Sequence, residues 1–249
     1  MVNGNHSPAL LLELLKLNTA VVYVNLEARP ERRLALEEQL QWLELSAVRQ
    51  PGVEAARVRD GWGFLEKPRY ACSLAKRLAI RRGFRTGAEA VLLLEDDVVM
   101  DAGFREKLAR LAVPQNWGLF FLGCRHEEKP KIISQGLVRC TLAVDHHAVL
   151  VHRRYRHAVL RGLAGHRRGA PGVIRFSDEK LAWCQRTIPS YAAWPNLAWQ
   201  RTDYSDTGAA EVSQYFPDGR QKAHPAMMAA VDAEMRQRMR HEDRWPTSL

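Results

Sequence analysis

The sequence has few of the features that assign a chain to a common class. Its four cysteines are Cys72, Cys124, Cys140 and Cys184, with no C-x-x-C pair and no histidine at zinc-finger spacing. This usage fits a reduced, cytoplasmic setting. The N-terminal stretch has no basic region, its apolar run is interrupted by Glu13 and Lys16, and no segment approaches the ~20 apolar residues of a membrane span. We therefore expect neither secretion nor integration into a membrane.

Two nucleotide-binding motifs are also absent. The chain has no G-x-x-x-x-G-K-[ST] loop and no G-x-G-x-x-G fingerprint, which argues against ATP hydrolysis and nicotinamide chemistry. It contains no evident repeat or low-complexity tract. With 249 residues, 46% of them hydrophobic, it is long enough to build a sizeable core.

The chain is basic. Thirty-seven Lys and Arg against 28 Asp and Glu give a formal net charge of +9. Such an excess favours anionic partners, among them nucleotide phosphates, nucleic acid and an acidic membrane surface. A solvated, arginine-rich surface explains it equally well, so charge alone does not choose.

Strand and helix patterns alternate through the first 125 residues. A β-branched strand at 19–28 precedes a helix that opens at Pro30, and a second helix pattern at 72–84 precedes a strand at 90–97. A short helix at 104–112 leads into a strand at 117–124. The near-continuous apolar strands indicate burial on both faces. This order predicts a doubly wound α/β domain.

The second half is less regular. It predicts a strand within 137–152, a helix at 154–163, a helix beginning near Asp178, a strand near 188–195 and a C-terminal helix at 225–240.

Three consecutive acids, Glu95, Asp96 and Asp97, follow the apolar run at 90–94. In open α/β sheets, ligands bind beyond the carboxyl ends of the strands. Adjacent carboxylates repel one another and resist burial, so a cation or a set of donors must compensate them. A divalent ion that also holds substrate phosphates is a natural partner. The alternative is a solvated turn, with Asp101 capping the next helix.

The segments VVYVNLEARPERR, AVLLLEDDVV, FFLGC and WPNLAWQRTDYSD together resemble glycosyltransferase family 25, the lipopolysaccharide-type and collagen-type sugar transferases. The resemblance spans residues 21–206. It implies an α/β, GT-A type Rossmann-like nucleotide-diphospho-sugar transferase fold, with a mostly parallel central sheet flanked by helices. It also implies a setting such as lipopolysaccharide biosynthesis.

The resemblance assigns the nucleotide pocket to the first strand and its turn, through Asn25, Leu26, Arg29 and Arg32. The planar fork of an arginine can stack on a base or pair with a phosphate. The alternative is a solvated basic helix start, although arginine is electrostatically unfavourable at a helix N-terminus.

The acidic run resembles the family's DxD motif. This implies Asp97 and Glu95 as ligands of a divalent metal, Mn²⁺ or Mg²⁺, and places Glu95 and Asp96 against the donor. The metal would neutralise charge on the leaving diphosphate.

On the acceptor side, the resemblance gives Asp178 as the catalytic base, with an ordinary N-cap as the alternative. It also gives Gln200, Ser205 and Asp206 as acceptor-side residues.

One departure from the family concerns the helix before the acidic strand. The family often carries G-C-x-x-S-H there, whereas residues 71–76 read ACSLAK, without the Ser and the His. An altered donor, an altered acceptor and a degenerate enzyme are all open. His146 and His147 would face opposite sides of a strand, so at most one could point into a site, and we expect each to be structural.

The leading hypothesis is a metal-dependent, inverting, hexosyltransferase-like glycosyltransferase. It would move a sugar from a nucleotide-diphosphate donor, such as a UDP-sugar, to a carbohydrate, glycolipid or other hydroxyl acceptor. The rival is a nucleic-acid-binding or scaffold protein on a degenerate glycosyltransferase fold. The basic surface would also suit peripheral contact with an anionic inner membrane face.

We divide the chain into four segments. Residues 1–18 form an N-terminal extension or short helix, and 19–125 the nucleotide-sugar-binding α/β half. Residues 126–222 form the acceptor-side half of the same domain, and 223–249 a C-terminal helix and tail.

Overall fold

The computed structural model describes residues 12–58, 67–164, 177–205, 210–212, 221–222 and 224–240. The strands are β1 (Leu12–Leu14), β2 (Leu17–Asn25), β3 (Ala47–Pro51), β4 (Ala90–Glu95), β5 (Val98–Met100), β6 (Leu119–His126), β7 (Lys131–Ser134), β8 (Leu137–Arg139), β9 (Ala143–His152), β10 (Ser190–Ala193), β11 (Ala198–Gln200), β12 (Asp203–Ser205) and β13 (Ala210–Val212). The α-helices are α1 (Pro30–Trp42), α2 (Lys67–Arg85), α3 (Phe104–Ala109), α4 (Arg156–Ala164), α5 (Ser177–Cys184) and α6 (Pro225–Met239).

One large sheet organises the fold, in the order β1-β2-β4-β9-β6-β10-β8-β7, with β3 also pairing with β2. Strands β2, β3, β4, β6 and β10 run in one direction, and β9 runs against them between β4 and β6. The chain passes from β6 to β9 through the β7–β8 hairpin without a crossover helix, so β9 enters antiparallel. The predicted α/β class with a large central sheet and flanking helices is confirmed.

The central strand β4 is buried on both faces. Leu92 and Leu94 belong to a core shared with α1, whereas Val91 and Leu93 belong to a core shared with α2 and α4. This two-sided burial explains why the strand is apolar at every position from 90 to 94.

The sequence predicted an N-terminal extension or a short helix for residues 1–18, and the described part of this segment does not form the helix. Residues 12–17 form a hairpin between β1 and β2 rather than a short helix, with Leu15 and Lys16 both at positive φ in the turn. Pairing with the edge of β2 outweighs the helical propensity of this leucine-rich stretch. Residues 1–11 lie outside the described residues.

The later elements follow the predicted order with local differences. The strand predicted within 137–152 is two strands, β8 and β9, while α4, α5, β10 and α6 lie where the sequence placed them. Within the described ranges, none of the helices has the length and apolar character needed to cross a membrane.

Candidate functional site

A cavity of about 450 Å³ opens at the carboxyl ends of β2 and β4. Val24 of β2 is in register with Glu95 of β4, so the chain leaves both strands at the same edge of the sheet. The cavity is lined by Val24, Leu26, Ala28, Arg32, Gly52, Val53, Glu54, Ala55, Ala56, Pro68, Cys72, Ala75, Lys76, Glu95, Asp96, Asp97 and Gln200. The lining contains both apolar residues and three acids, and we refer to the apolar residues as the wall and to Glu95, Asp96 and Asp97 as the acidic floor.

Asp96 is held by donors from the first strand and helix. Its carboxylate accepts a hydrogen bond from Asn25 Nδ2 at 2.8 Å and lies 3.5 Å from Arg32 Nη1. Burial raises the pKa of Asp96, and these two partners oppose the rise. Asn25 Nδ2 also donates to the Arg29 carbonyl, so the buried amide ties the turn after β2 to the acid.

Asp97 has one satisfied and one unsatisfied carboxylate oxygen. Oδ2 accepts a hydrogen bond from Gln200 Nε2 at 2.7 Å, whereas Oδ1 is buried and has no hydrogen-bond partner among the described residues. Burial and the neighbouring Asp96 raise the pKa of Asp97. A buried carboxylate oxygen without a donor is costly, so this atom is the one best suited to a bound cation.

Glu95 is paired with a buried lysine from α2. Lys76 Nζ lies 2.5 Å from Glu95 Oε1 and 3.4 Å from Asp178 Oδ1, and it donates to Ser177 Oγ at 3.0 Å. The ammonium group therefore joins the acidic strand to the start of α5. Lys76 occupies the position where the resembled family often carries histidine.

The carboxylates outnumber the cations here. Glu95, Asp97 and Asp178 are joined by Asp96 and by Asp203, whose Oδ2 lies 3.0 Å from Arg32 Nε. Arg32 and Lys76 are the cations that contact these five acids in the described part of the chain. With Asp203 left out of the count, two cations contact four carboxylates among the described residues, and Asp97 Oδ1 has no hydrogen-bond partner there; this arrangement fits an added divalent ion.

The predicted nucleotide-binding residues fall into two groups. Leu26 and Arg32 line the cavity, together with the three acids. The Arg29 guanidinium lies 3.5 Å from Glu31, and Asn25 is buried beneath the turn. Leu26 packs closely on Gly52, where an added Cβ would lie 2.8 Å from Leu26 Cδ2.

The predicted acceptor-side residues are only partly placed. Gln200 of β11 reaches Asp97 because β11 pairs antiparallel with β5, which directly follows the acids. Ser205 ends β12, where the backbone alone is described. Asp206 lies outside the described residues.

Both central histidines are buried, as expected for structural residues. The Nε2 of His146 donates to the Ala143 carbonyl at 2.8 Å, and its ring stacks on Phe121. His147 Nε2 donates to the Ala198 carbonyl at 3.2 Å.

Sequence reasoning missed two residues of the site. Asp203 stands in a polar segment without periodicity, and nothing in the sequence relates it to Arg32. In the sequence, Lys76 stands out only because it occupies the position where the resembled family often carries a histidine. A lysine within an otherwise apolar helix face, Ala75 and Ala79 being its buried neighbours, was the available signal.

No family model and no curated protein matches the sequence. Solved structures that it resembles include a glycosyltransferase involved in the glycosylation of the major capsid of PBCV-1, with 11% identity, 70% of this chain and 81% of that chain covered, and a TM-score of 0.43. A Drosophila beta-1,4-galactosyltransferase 7 mutant in complex with manganese, UDP-Gal and xylobiose has 12% identity, coverage of 85% and 83%, and a TM-score of 0.42. A mannose-1-phosphate geranyltransferase from Thermus thermophilus has 15% identity, coverage of 70% and 73%, and a TM-score of 0.41. These likenesses are weak and assign no activity to this chain.

Proposed function

We propose that the protein is a GT-A type glycosyltransferase of the kind found in family 25. It transfers a sugar from a nucleotide-diphosphate donor, a UDP-sugar in the first instance, to a hydroxyl of a glycan or glycolipid. The observation that carries the proposal is the cavity at the ends of β2 and β4, with an apolar wall, an acidic floor and the unpartnered Asp97 Oδ1. A nucleotide sugar needs an apolar surface for its base and a cation-binding edge for its diphosphate.

The proposal includes a divalent metal at the acidic floor. Asp97 is the first candidate ligand and Glu95 the second, because Glu95 already shares its charge with Lys76. When bound, Mn²⁺ or Mg²⁺ would neutralise charge on the leaving diphosphate. Asp96, fixed by Asn25 and Arg32, is left to accept hydrogen bonds from donor hydroxyl groups.

The chain's own residues supply orientation and proton transfer. The wall formed by Val24, Leu26 and Val53 excludes water from the base. Asp178 remains the candidate for the proton acceptor of an inverting reaction. Burial by itself raises the pKa of its carboxyl, but Lys76 together with the other neighbours, among them the Ser177 hydroxyl, outweighs burial and lowers the pKa to about 2. Asp178 is therefore ionised at neutral pH and able to take a proton from the acceptor hydroxyl.

Calorimetric titration tests the donor site directly. The intact chain, freed of metal by a chelator, is titrated with UDP and with UDP-sugars in the presence and absence of Mn²⁺. We expect binding that requires the metal and is weakened at least about 100-fold by Asp97→Asn, which keeps the shape of the side chain but removes the anionic ligand.

Asp101→Asn is the matched control. Asp101 lies four residues further along, pairs with Lys107 at 2.6 Å and does not line the cavity, so its loss should leave UDP binding unchanged. Absence of binding to every nucleotide and nucleotide sugar tried, with the protein folded, would refute the proposed function. Binding that is indifferent to metal and to Asp97→Asn would refute the metal assignment alone.

A further inference from the structure

Three potential metal ligands lie together in a core region away from the acidic cavity. Cys124, His126 and Cys140 are 0%, 1% and 8% exposed, and their ligand atoms all lie within 4.8 Å of one another. Cys124 Sγ is 3.6 Å from His126 Nε2. None of the three lines the cavity at the acidic floor.

The fold builds this cluster from two separate segments. Cys124 and His126 are two residues apart on β6, so their side chains leave the same face of the strand. Cys140 follows β8, and its backbone N–H donates to the Ser190 carbonyl of β10 at 2.9 Å. The C-x-H spacing is unlike that of a zinc finger, which is why the sequence alone did not reveal the site.

The spacing suits a tetrahedral ion. With Zn–S bonds of about 2.3 Å and a Zn–N bond of about 2.0 Å, two ligand atoms on a tetrahedron are about 3.5 to 3.8 Å apart. The Cys124–His126 distance of 3.6 Å falls within this range. Cys140 joins them if its distances to the other two ligand atoms, which are within 4.8 Å, shorten by at most about 1.3 Å.

We propose that Cys124, His126 and Cys140 form a buried binding site for one zinc ion. Two sulfur ligands and one imidazole prefer such an ion, whereas the carboxylates of the donor cavity prefer a hard ion such as Mn²⁺ or Mg²⁺. The two sites therefore select different metals. Each thiol releases its proton to solvent as its sulfur binds, and the three protein ligands leave one tetrahedral position for a water molecule.

The site would stabilise the segment that leads to the donor cavity. Asn196 Nδ2 donates to the Cys124 carbonyl at 3.0 Å, and the Leu197 N–H donates to the Leu122 carbonyl at 2.7 Å. This segment continues into β11, from which Gln200 reaches Asp97. A zinc ion at the end of β6 would thus hold the strand against which β11 is placed.

Cobalt substitution provides the test. The intact, reduced chain is stripped of metal and titrated with Co²⁺, which gives a thiolate-to-metal charge-transfer absorption only when sulfur is a ligand. We expect this band to saturate at one ion per chain and to disappear when Zn²⁺ is added. This measurement uses the natural sequence, so it does not depend on whether a variant folds.

Four variants identify the thiolate ligands and separate the two sites. Cys124→Ser and Cys140→Ser should each weaken Co²⁺ binding at least about 100-fold. Cys184→Ser is the matched control, because Cys184 is also buried but lies on α5 against Gly162. Asp97→Asn should keep the band, since the donor cavity offers oxygen ligands. Co²⁺ binding without a thiolate band, or a band that survives both Cys124→Ser and Cys140→Ser, would overturn the proposal.

Discussion

Lys76 is a buried cation whose charge is shared between two carboxylates. Its side chain is 2% exposed, and it lies 2.5 Å from Glu95 and 3.4 Å from Asp178. Burial opposes the charged form of Lys76, but its neighbours together, Glu95 foremost and then Cys72 and Asp178, outweigh burial and keep the pKa of Lys76 well above its usual value. Lys76 is therefore charged at neutral pH, and any role of Glu95 as a metal ligand has to include its contact with this ammonium group.

Removal of this charge should be far more costly than removal of a surface lysine. Lys76→Met leaves Glu95 and Asp178 partly buried without their cation, and we expect a loss of about 3 kcal/mol in the free energy of unfolding at pH 7. Urea denaturation with a chelator present measures it. The loss should be smaller at pH 4, because the uncompensated carboxylates can then take up protons.

Lys107→Met is the control for this prediction. Lys107 pairs with Asp101 at a similar distance, 2.6 Å, but its side chain is 53% exposed. A solvated pair contributes less than about 1 kcal/mol. If Lys76→Met and Lys107→Met lowered the free energy of unfolding equally, burial would not increase the contribution of an ion pair to stability.

Asp178 should affect turnover rather than donor binding. Its pKa of about 2 keeps it ionised but makes it a weak base, so we expect Asp178→Asn to lower kcat about 100-fold, at the lower end of the range for general bases. The Kd for UDP should change less than about threefold, since Asp178 does not line the cavity. Glu179→Gln, at the exposed neighbouring position, is the control. An unchanged kcat would remove Asp178 from the mechanism.

The sequence allowed the acidic run to be placed at a ligand edge, because the apolar strand before it is visible in the residue pattern. Arg32 was assigned to the nucleotide pocket only by resemblance. The pairing of Asp97 with Gln200, 103 residues apart, depends on how β11 docks on β5. No local pattern encodes that contact, so the sequence assigned Gln200 to the acceptor side only by resemblance.

At the scale of elements, α2 lies very close to the sheet and carries Lys76. The approach is permitted by Gly83, where an added Cβ would lie 2.6 Å from Val91 Cγ2 and 2.8 Å from Val91 Cγ1. Val91 is β-branched and fully buried, so its side chain cannot change rotamer to make space. The position of α2, and with it that of Lys76, depends on this glycine.

Gly83→Ala should therefore destabilise the protein although alanine is the better helix former. The helical preference favours alanine by about 1 kcal/mol, whereas overpacking against a central strand costs about 1 to 3 kcal/mol. We expect a net loss of about 1 kcal/mol in urea denaturation, with weaker UDP binding as α2 moves. Arg82→Ala, at the exposed position before it, should stay within about 0.5 kcal/mol of the parent. If the Gly83→Ala variant were more stable than the parent, the space between α2 and Val91 would be large enough for a methyl group, and the prediction would be wrong.

Long periodic elements were predicted better than short ones. Helices α1, α2 and α6 and strands β4 and β6 have patterns that local chemistry can specify. Strands β3, β5, β7 and β11 have three to five residues each and were not anticipated, because their pairing partners rather than their composition determine them. The antiparallel entry of β9 likewise follows from its connection and not from its residues.

At the scale of the whole molecule, the two-sided core contains titratable groups that must stay neutral. His146 of β9 is fully buried and its ring stacks on Phe121, and it belongs neither to the cavity with the acidic floor nor to the cluster of Cys124, His126 and Cys140. Burial lowers the pKa of His146 to about 4. The imidazole of His146 therefore stays neutral in the folded protein at pH values where the same group in the unfolded chain, with a pKa near 6.5, is protonated.

This difference predicts how stability falls on acidification. Between pH 6.5 and 4 the unfolded state binds more protons at His146 than the folded state, so stability is full above this window and is lost as pH falls through it. A shift from 6.5 to about 4 corresponds to about 3 kcal/mol. The acids of the cavity at the ends of β2 and β4 act in the opposite direction, because burial raises the pKa values of Glu95, Asp96 and Asp97. The dependence of the free energy of unfolding on pH in the natural chain therefore contains both the effect of His146 and that of the acids.

A comparison between variants separates them. His146→Gln removes the titrating group and leaves the acids in place, so between pH 7 and 4 it should lose about 3 kcal/mol less stability than the parent, whatever the acids contribute. Urea denaturation at half-unit pH steps gives both curves. His157→Gln, at an exposed position of α4, should follow the parent curve. Parallel curves for the parent and His146→Gln would mean that the buried imidazole is protonated in the folded core, and the two-sided packing around Phe121 would then have to open in acid.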